Sequence, residues 1–215
     1  MKEYYNKCAQ EYEKIYYRDN PIRQSELNDI ENRINKIFRN KRVLEIACGT
    51  GYWTEKITKV ASRIVAVDSS KEMLSIAKHK NLLSNKVTFI KDDAYVLDNI
   101  KGSYNGGLAN FWFSHLPKKL IENFLNVFHS KLEKGSIVFM ADNTYVQGVG
   151  GELIRKNNDD NTYKIRILNN GNKFEVLKNY YNKDEIEKIF KNLVLINNIH
   201  FSNFYWWIEY ITKNH

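Results

Sequence analysis

Glu45, Gly49, Gly51, Asp68, Asp93 and His115 are the residues whose types and spacing permit chemistry. Glu45 sits in the apolar run Arg42-Val43-Leu44-Glu45-Ile46-Ala47, and Cys48-Gly49-Thr50-Gly51 follows directly. A strand that turns sharply into a helix beneath a ligand needs glycine. A Cβ at Gly49 or Gly51 would keep a ligand off the backbone. A nicotinamide-nucleotide fingerprint would place a third glycine where Thr54 stands, so that pattern is broken. A carboxylate just ahead of the turn disfavours a pyrophosphate and suits a ligand with an ammonium group. Asp68 ends the next apolar run, 17 residues after Gly51. A carboxylate there can accept hydrogen bonds from both hydroxyls of a ribose. His115 precedes Leu116-Pro117. An imidazole there could act as a base near neutral pH, hold an acceptor, or only hydrogen-bond the backbone.

These residues need elements to position them. Residues 25–38 have helical spacing, with Leu27, Ile30, Ile34 and Phe38 on one face. Short apolar strands are expected at 42–47, 64–67 (ending at Asp68), 87–90 and 137–141, with residues 108–111 ending another. Helices are expected from Trp53 to about Val60, after Ser69 (a capping box with Glu72), and over 118–132. Thr162–Leu168 and Lys173–Leu177 alternate around Asn169-Asn170-Gly171-Asn172, a β-hairpin signal. Asn182 with Glu185 caps a last helix, and residues 193–212 supply two more strands. Strands alternating with amphipathic helices predict an α/β fold, a mainly parallel sheet covered on both faces. In such sheets ligands bind outside the carboxyl ends of the strands, where every motif above falls.

The segment Val43 to Gly51 resembles the first motif of the class I, Rossmann-like S-adenosylmethionine-dependent methyltransferases. The resemblance implies a three-layer fold: a mostly parallel seven-stranded sheet with an antiparallel last strand, here with a β-hairpin insertion. It also implies that Glu45, Ala47, Gly49 and Gly51 serve the methionine part of S-adenosylmethionine. Asp68, with Ser69 beside it, would take the ribose. Val87-Thr88-Phe89-Ile90-Lys91-Asp92-Asp93-Ala94 is similar to the family run ending Gly-Asp-Ala, which gives Asp93 and Ala94 to the adenine, with Met73 able to pack on it. Asp92 stands where glycine is usual. Asn110-Phe111-Trp112-Phe113-Ser114-His115-Leu116-Pro117 resembles the fourth motif, nearest the methyl group. It is not the Asn-Pro-Pro-Tyr type of enzymes that methylate adenine in nucleic acids. Tyr5 to Tyr12 resembles the Tyr-x-x-x-Ala-x-x-Tyr lid folded over the cofactor.

The chain is expected to form a single methyltransferase domain: a helical lid over 1–40, a cofactor-binding core over 41–142, an insertion over 143–181 and a terminal helix and strands over 182–215. The insertion is expected to cover the acceptor. Tyr17, Arg23, Trp112, His115, Asn143 and Arg166 are candidate acceptor residues, with Arg23 or Arg166 holding a carboxylate or phosphate. Tyr12, Tyr16, Phe113 and Tyr145 could add aromatic walls. Trp206 and Trp207 point to opposite faces of a strand, so at most one faces the pocket.

The formal charge is +8, from 33 Lys and Arg against 25 Asp and Glu, but the cations are scattered. Clustering, not total charge, marks a nucleic-acid footprint, so a nucleic-acid partner is not expected. From the polar N-terminus and the lack of a long apolar run, neither a secretory signal nor a membrane span is expected. Two cysteines, Cys8 and Cys48, fit reduced thiols in the cytoplasm. No metal site is expected, and the chain is read as a monomer or homodimer. The leading reading is N- or O-methylation of a small molecule, leaving S-adenosylhomocysteine. The alternatives are an RNA or protein methyltransferase and a cofactor-binding protein without transfer.

Overall fold

The computed structural model of the chain describes residues 2–80, 82–83 and 85–213. Short runs rich in Val and Ile form adjacent parallel strands β1 (Arg42–Ile46), β2 (Arg63–Asp68) and β3 (Val87–Lys91). β4 (Tyr104–Leu108) and β5 (Leu132–Asn143) continue the parallel set. β6 (Leu153–Arg155), β7 (Thr162–Ile167) and β8 (Lys173–Leu177) make a separate antiparallel sheet in the insertion. β9 (Val194–Phe201) and β10 (Tyr205–Thr212) return to the main sheet, with β10 antiparallel to both β5 and β9. The seven-stranded order is β3-β2-β1-β4-β5-β10-β9. The strand order reverses beside β1, so the loops after β1 and β4 open a crevice at their carboxyl ends.

Alternate residues of the central strands serve opposite faces. Leu44, Val65, Val67, Val138, Met140 and Trp206 join one core. Val43, Ile64, Ala66, Phe139 and Ala141 join the other. The first core is closed by α5 (Ile121–Ser130) and α6 (Lys183–Phe190); the second by α2 (Pro21–Ile37) and α3 (Tyr52–Thr58). α5 buries Phe124, Leu125 and Phe128 completely, each contributing about 1.5–3 kcal/mol of hydrophobic stabilisation. A short α1 (Lys2–Cys8) leads into a 3₁₀ segment, Ala9–Tyr17. Cys8 and Ala9 pack with Met73 of α4 (Lys71–His79) and with Leu168 of the insertion. The N-terminal segment therefore bridges the β2 end of the sheet and the hairpin.

Several local expectations shift. α2 starts at Pro21, because Asn20 accepts a hydrogen bond from the Arg23 N–H and proline suits the first helical position. α4 is capped by Ser70, not Ser69: Ser70 Oγ accepts from Met73 N–H and donates to Glu72. β4 ends at Leu108, before the 109–111 segment expected to close it. α5 stops at Ser130, and Leu132 opens β5. The Asn182–Glu185 capping box forms as expected.

Candidate active site

The glycine turn is a run of left-handed backbone, with φ of 53° at Ala47, 56° at Gly49 and 77° at Gly51. It lifts the chain over the end of β1 and aims the Gly49 N–H at β2. Asp68 Oδ2 accepts that N–H at 2.9 Å, while Oδ1 accepts from Ser70 N–H at 2.8 Å. Burial pushes the Asp68 carboxyl up, and the bonds from Ser70 and Gly49 oppose that rise. One carboxylate thus locks two strand ends together beside a cavity.

That cavity is about 300 Å³ in volume. Tyr12, Ala47, Gly49, Asp68, Ser69, Met73, Asp93, Ala94 and Phe111 all line it, together with Asp92, Tyr95 and Trp112. Glu45, Gly51 and Asn110 do not. Glu45 is buried behind the turn, where Thr54 Oγ1 donates to its Oε2 at 2.6 Å. Burial raises its pKa to about 8. Packing itself demands glycine at position 51: a Cβ there would lie 3.1 Å from the Ala77 Cβ of α4. Asn110 accepts from the Ala141 N–H, which pins the end of β4 to β5.

His115 ends a 3₁₀ turn, Phe113–His115, held by a buried network. Asp142 Oδ2 accepts from Ser114 N–H at 2.8 Å, and Ser114 O accepts from Asn179 N–H at 2.7 Å. Lys178 Nζ reaches Ser114 Oγ at 2.6 Å, and Asp142 Oδ1 and Asn143 Oδ1 at 2.9 Å each. Burial alone would raise the Asp142 pKa, but Lys178, His115 and Ser114 outweigh it and hold it below the ordinary value. Burial lowers that of Lys178, against the pull of Asp142.

The same network fixes the histidine. His115 Nδ1 lies 2.7 Å from Leu177 O. A carbonyl only accepts, so Nδ1 carries the proton and Nε2 is the acceptor. Tyr5 O–H donates to Nε2 at 2.8 Å. Burial, reinforced by the Lys178 charge, brings the His115 pKa down to about 3. The ring is a neutral hydrogen-bond acceptor, and this environment does not support the base role near neutral pH that its residue type suggests.

A second, larger cavity of about 530 Å³ lies under the insertion. Arg23, Asn143, His115 and Arg166, the candidate acceptor residues, line it together, and so does Tyr16. Arg23 stacks on Phe204 at 4.1 Å, and Arg166 donates to Gly150 O at 3.0 Å. Four aromatic expectations are corrected. Tyr17 is 69% exposed and packs on Tyr52, outside both cavities. Trp112 faces the smaller cavity, Phe113 is core, and Tyr145 stands half-exposed beside Tyr180. Neither Trp206 nor Trp207 lines either of these two cavities: Trp206 is core on one face and Trp207 packs on the other. Asp142, Lys178, Arg18 and Tyr180 were not legible as site residues. Asp142 at the carboxyl end of β5 carried a positional signal; Lys178, Arg18 and Tyr180 carried none.

A reversing parallel sheet, a glycine turn after its first strand and an acidic residue after its second define a Rossmann-like nucleotide-binding domain. A methyltransferase-domain family model matches residues 43–135, the segment from β1 into β5. Over that segment the chain is similar to the methyltransferase-domain family, and its architecture is the Rossmann-like fold of the class I S-adenosylmethionine-dependent methyltransferases. It is 26% identical over 193 residues to a malonyl-[acyl-carrier protein] O-methyltransferase of Bacillus cereus, covering 89% of this chain and 68% of that one. It is 22% identical over 223 residues to a demethylmenaquinone methyltransferase of Staphylococcus aureus, covering 91% and 86%. Four further curated relatives are matched over only 31% to 53% of their own lengths. Among solved structures, the DhpI–SAH complex superposes with a TM-score of 0.79 at 23% identity, over 99% of this chain and 95% of that one. No helix among the described residues is long and apolar enough to cross a membrane.

Proposed function

We propose that the protein transfers a methyl group from S-adenosylmethionine, held in the smaller cavity, to a small-molecule acceptor held in the larger one. One observation carries this reading. The two cavities meet at Tyr5, Tyr12, Phe111 and His115, which line both. A donor in one and an acceptor in the other would face each other there.

The smaller cavity suits the cofactor in its chemistry. Asp68 keeps acceptor capacity beyond its two backbone bonds, which fits a ribose diol. Met73, Ala94 and Trp112 offer apolar surface for a flat base, and Asp93 lies on the same wall. When bound, S-adenosylmethionine supplies an already activated methyl group, so the protein's task is orientation and exclusion of water. Tyr5 and Tyr12, edge-on at 5.9 Å, close the crevice from the N-terminal side. The Ser114 network sets His115 where the cavities join. The relatives named for malonyl-[acyl-carrier protein] and demethylmenaquinone support acceptors other than nucleic acid.

The test is turnover with isotopically labelled cofactor and a mixture of small metabolites, read by mass spectrometry. A labelled small-molecule product is expected. Tight binding of S-adenosylhomocysteine with no labelled product would instead identify a non-catalytic binder.

A further inference from the structure

The larger cavity has an electrostatic imbalance that the protein itself does not resolve. Lys14, Arg18, Arg23, Arg166 and Lys178 line it, against Glu11 alone among acids. Lys178 is neutralised by Asp142. Arg18, Arg23 and Arg166 form no salt bridge among the described residues, whereas Arg33 and Arg42 pair with Glu209 and Glu133. Arg23 is only 8% exposed, and its hydrogen-bond contact is a neutral one, to Tyr205 Oη at 3.5 Å. Burying a guanidinium without a counter-charge is costly, and an incoming anion would relieve that cost. The arginines also oppose one another: after burial, the Arg23 charge is what most lowers the Arg18 pKa.

Among the described residues that line both cavities, moreover, none is a free base. His115 Nδ1 is protonated toward Leu177 O, and its Nε2 already accepts from Tyr5. Tyr5, Tyr12 and Tyr16 are phenols that burial makes less acidic still. Lys178 Nζ faces three oxygens within 2.9 Å, which takes the three N–H donors of an ammonium. A hydroxyl or ammonium acceptor held at that mouth would meet no free proton acceptor among the described residues that line both cavities. An oxyanion has none to lose.

Resting on the methyltransferase reading above, we infer that the acceptor is a small acid bound by Arg23 and Arg166 and methylated on an anionic oxygen. A carboxylate and a phosphorus oxyanion share the required chemistry: one oxygen held by a planar guanidinium, another free to attack. The free oxygen gives a lone pair to the methyl carbon as the methyl–sulfur bond breaks and leaves its pair on sulfur. The acceptor loses one negative charge, sulfur loses its positive charge, and no proton moves.

The experiment has two arms. In the first, protein saturated with S-adenosylhomocysteine is titrated calorimetrically with inorganic phosphate and with succinate. At least one should bind saturably. Arg23→Gln and Arg166→Gln should each weaken it tenfold or more, with S-adenosylhomocysteine affinity unchanged within twofold. Arg166, half-buried on the insertion, serves as the second variant should Arg23→Gln not fold. Saturable binding of neither anion, or equal binding by a folded variant, overturns the inference. Failure of S-adenosylhomocysteine itself to bind overturns the methyltransferase reading instead. In the second arm, product from labelled cofactor is treated with alkali. Volatile label identifies a carboxylate ester, and stable label coupled to phosphorus identifies a phosphorus ester. Label on nitrogen, or on a hydroxyl oxygen, overturns the inference.

Discussion

Replacing Lys178 by methionine isolates the buried network that holds His115. The Lys178 and Asp142 side chains are 4% and 0% exposed, with Nζ 2.9 Å from Oδ1. Methionine keeps a flexible apolar stem and removes the ammonium. Asp142 would retain the N–H groups of Ser114 and Asn143 but lose its counter-charge. Removing one partner of a buried pair costs about 3–5 kcal/mol. For a chain of this size each kcal/mol moves Tm by roughly 2–4 °C, so Tm should fall by about 6–20 °C. Urea unfolding monitored by circular dichroism measures the loss directly. Adding Asp142→Asn to Lys178→Met removes the stranded charge and should recover a large part of it. The sign with pH follows from Asp142. Its folded pKa lies below its unfolded value, so the folded state binds fewer protons. Its contribution is complete above the unfolded pKa, about 3.9, and is lost as pH falls through the folded value. In Lys178→Met that acid-side loss should disappear. A cost below about 1 kcal/mol, or a double variant no more stable than Lys178→Met, would refute the reasoning, because Asp142 would then not depend on Lys178.

Other outcomes follow from the same geometry. Asp68→Asn should weaken S-adenosylhomocysteine binding on the order of 100-fold by calorimetry, since two hydrogen bonds to a charged acceptor contribute roughly 3 kcal/mol or more. Glu45 has a folded pKa of about 8, above its unfolded value, so the folded state binds the extra proton. Stability of the ligand-free protein should fall as pH rises from about 4.5 toward 8, and Glu45→Gln should flatten that slope in urea titrations across pH. Gly51→Ala should destabilise by about 1–3 kcal/mol in urea unfolding, from left-handed backbone and a Cβ pressed on Ala77. The kcat/KM profile should show no inflection from His115 between about pH 5.5 and 8, because its pKa lies near 3; an inflection that vanishes in His115→Gln would contradict the neutral tautomer.

The parallel strands and their helices could be read from the chain because their signals are local. Apart from Glu45, Val43 to Ile46 and Ile64 to Val67 are apolar on both faces, as buried parallel strands must be. Asp68, Asp93 and Ala94 could be placed because each lies at, or within three residues of, the end of a strand, and strand ends open on the crevice. The errors were of two kinds. Ser69 and Ser70 are chemically alike as caps, and only the extended backbone at Ser70 and the bond from its N–H to Asp68 decide between them. Tyr17, Trp112 and Phe113 were weighed by residue type alone, yet which way a ring turns at a loop or a 3₁₀ turn depends on its neighbours in space.

By itself, then, the sequence determined the α/β architecture, the glycine turn and the chain of strand-end residues about the smaller cavity. Periodicity and turn chemistry act over a few residues and survive without knowledge of the fold. Tertiary structure alone decided the larger cavity. Lys178 meets Asp142 across 36 positions and Ser114 across 64, and Tyr5 meets His115 across 110. Arg23 from α2 and Arg166 from β7 share one cavity only because the insertion folds back over the carboxyl end of the sheet. It also decided that His115 is neutral, since a pKa is set by burial and by the charges packed around a ring rather than by its place in the chain.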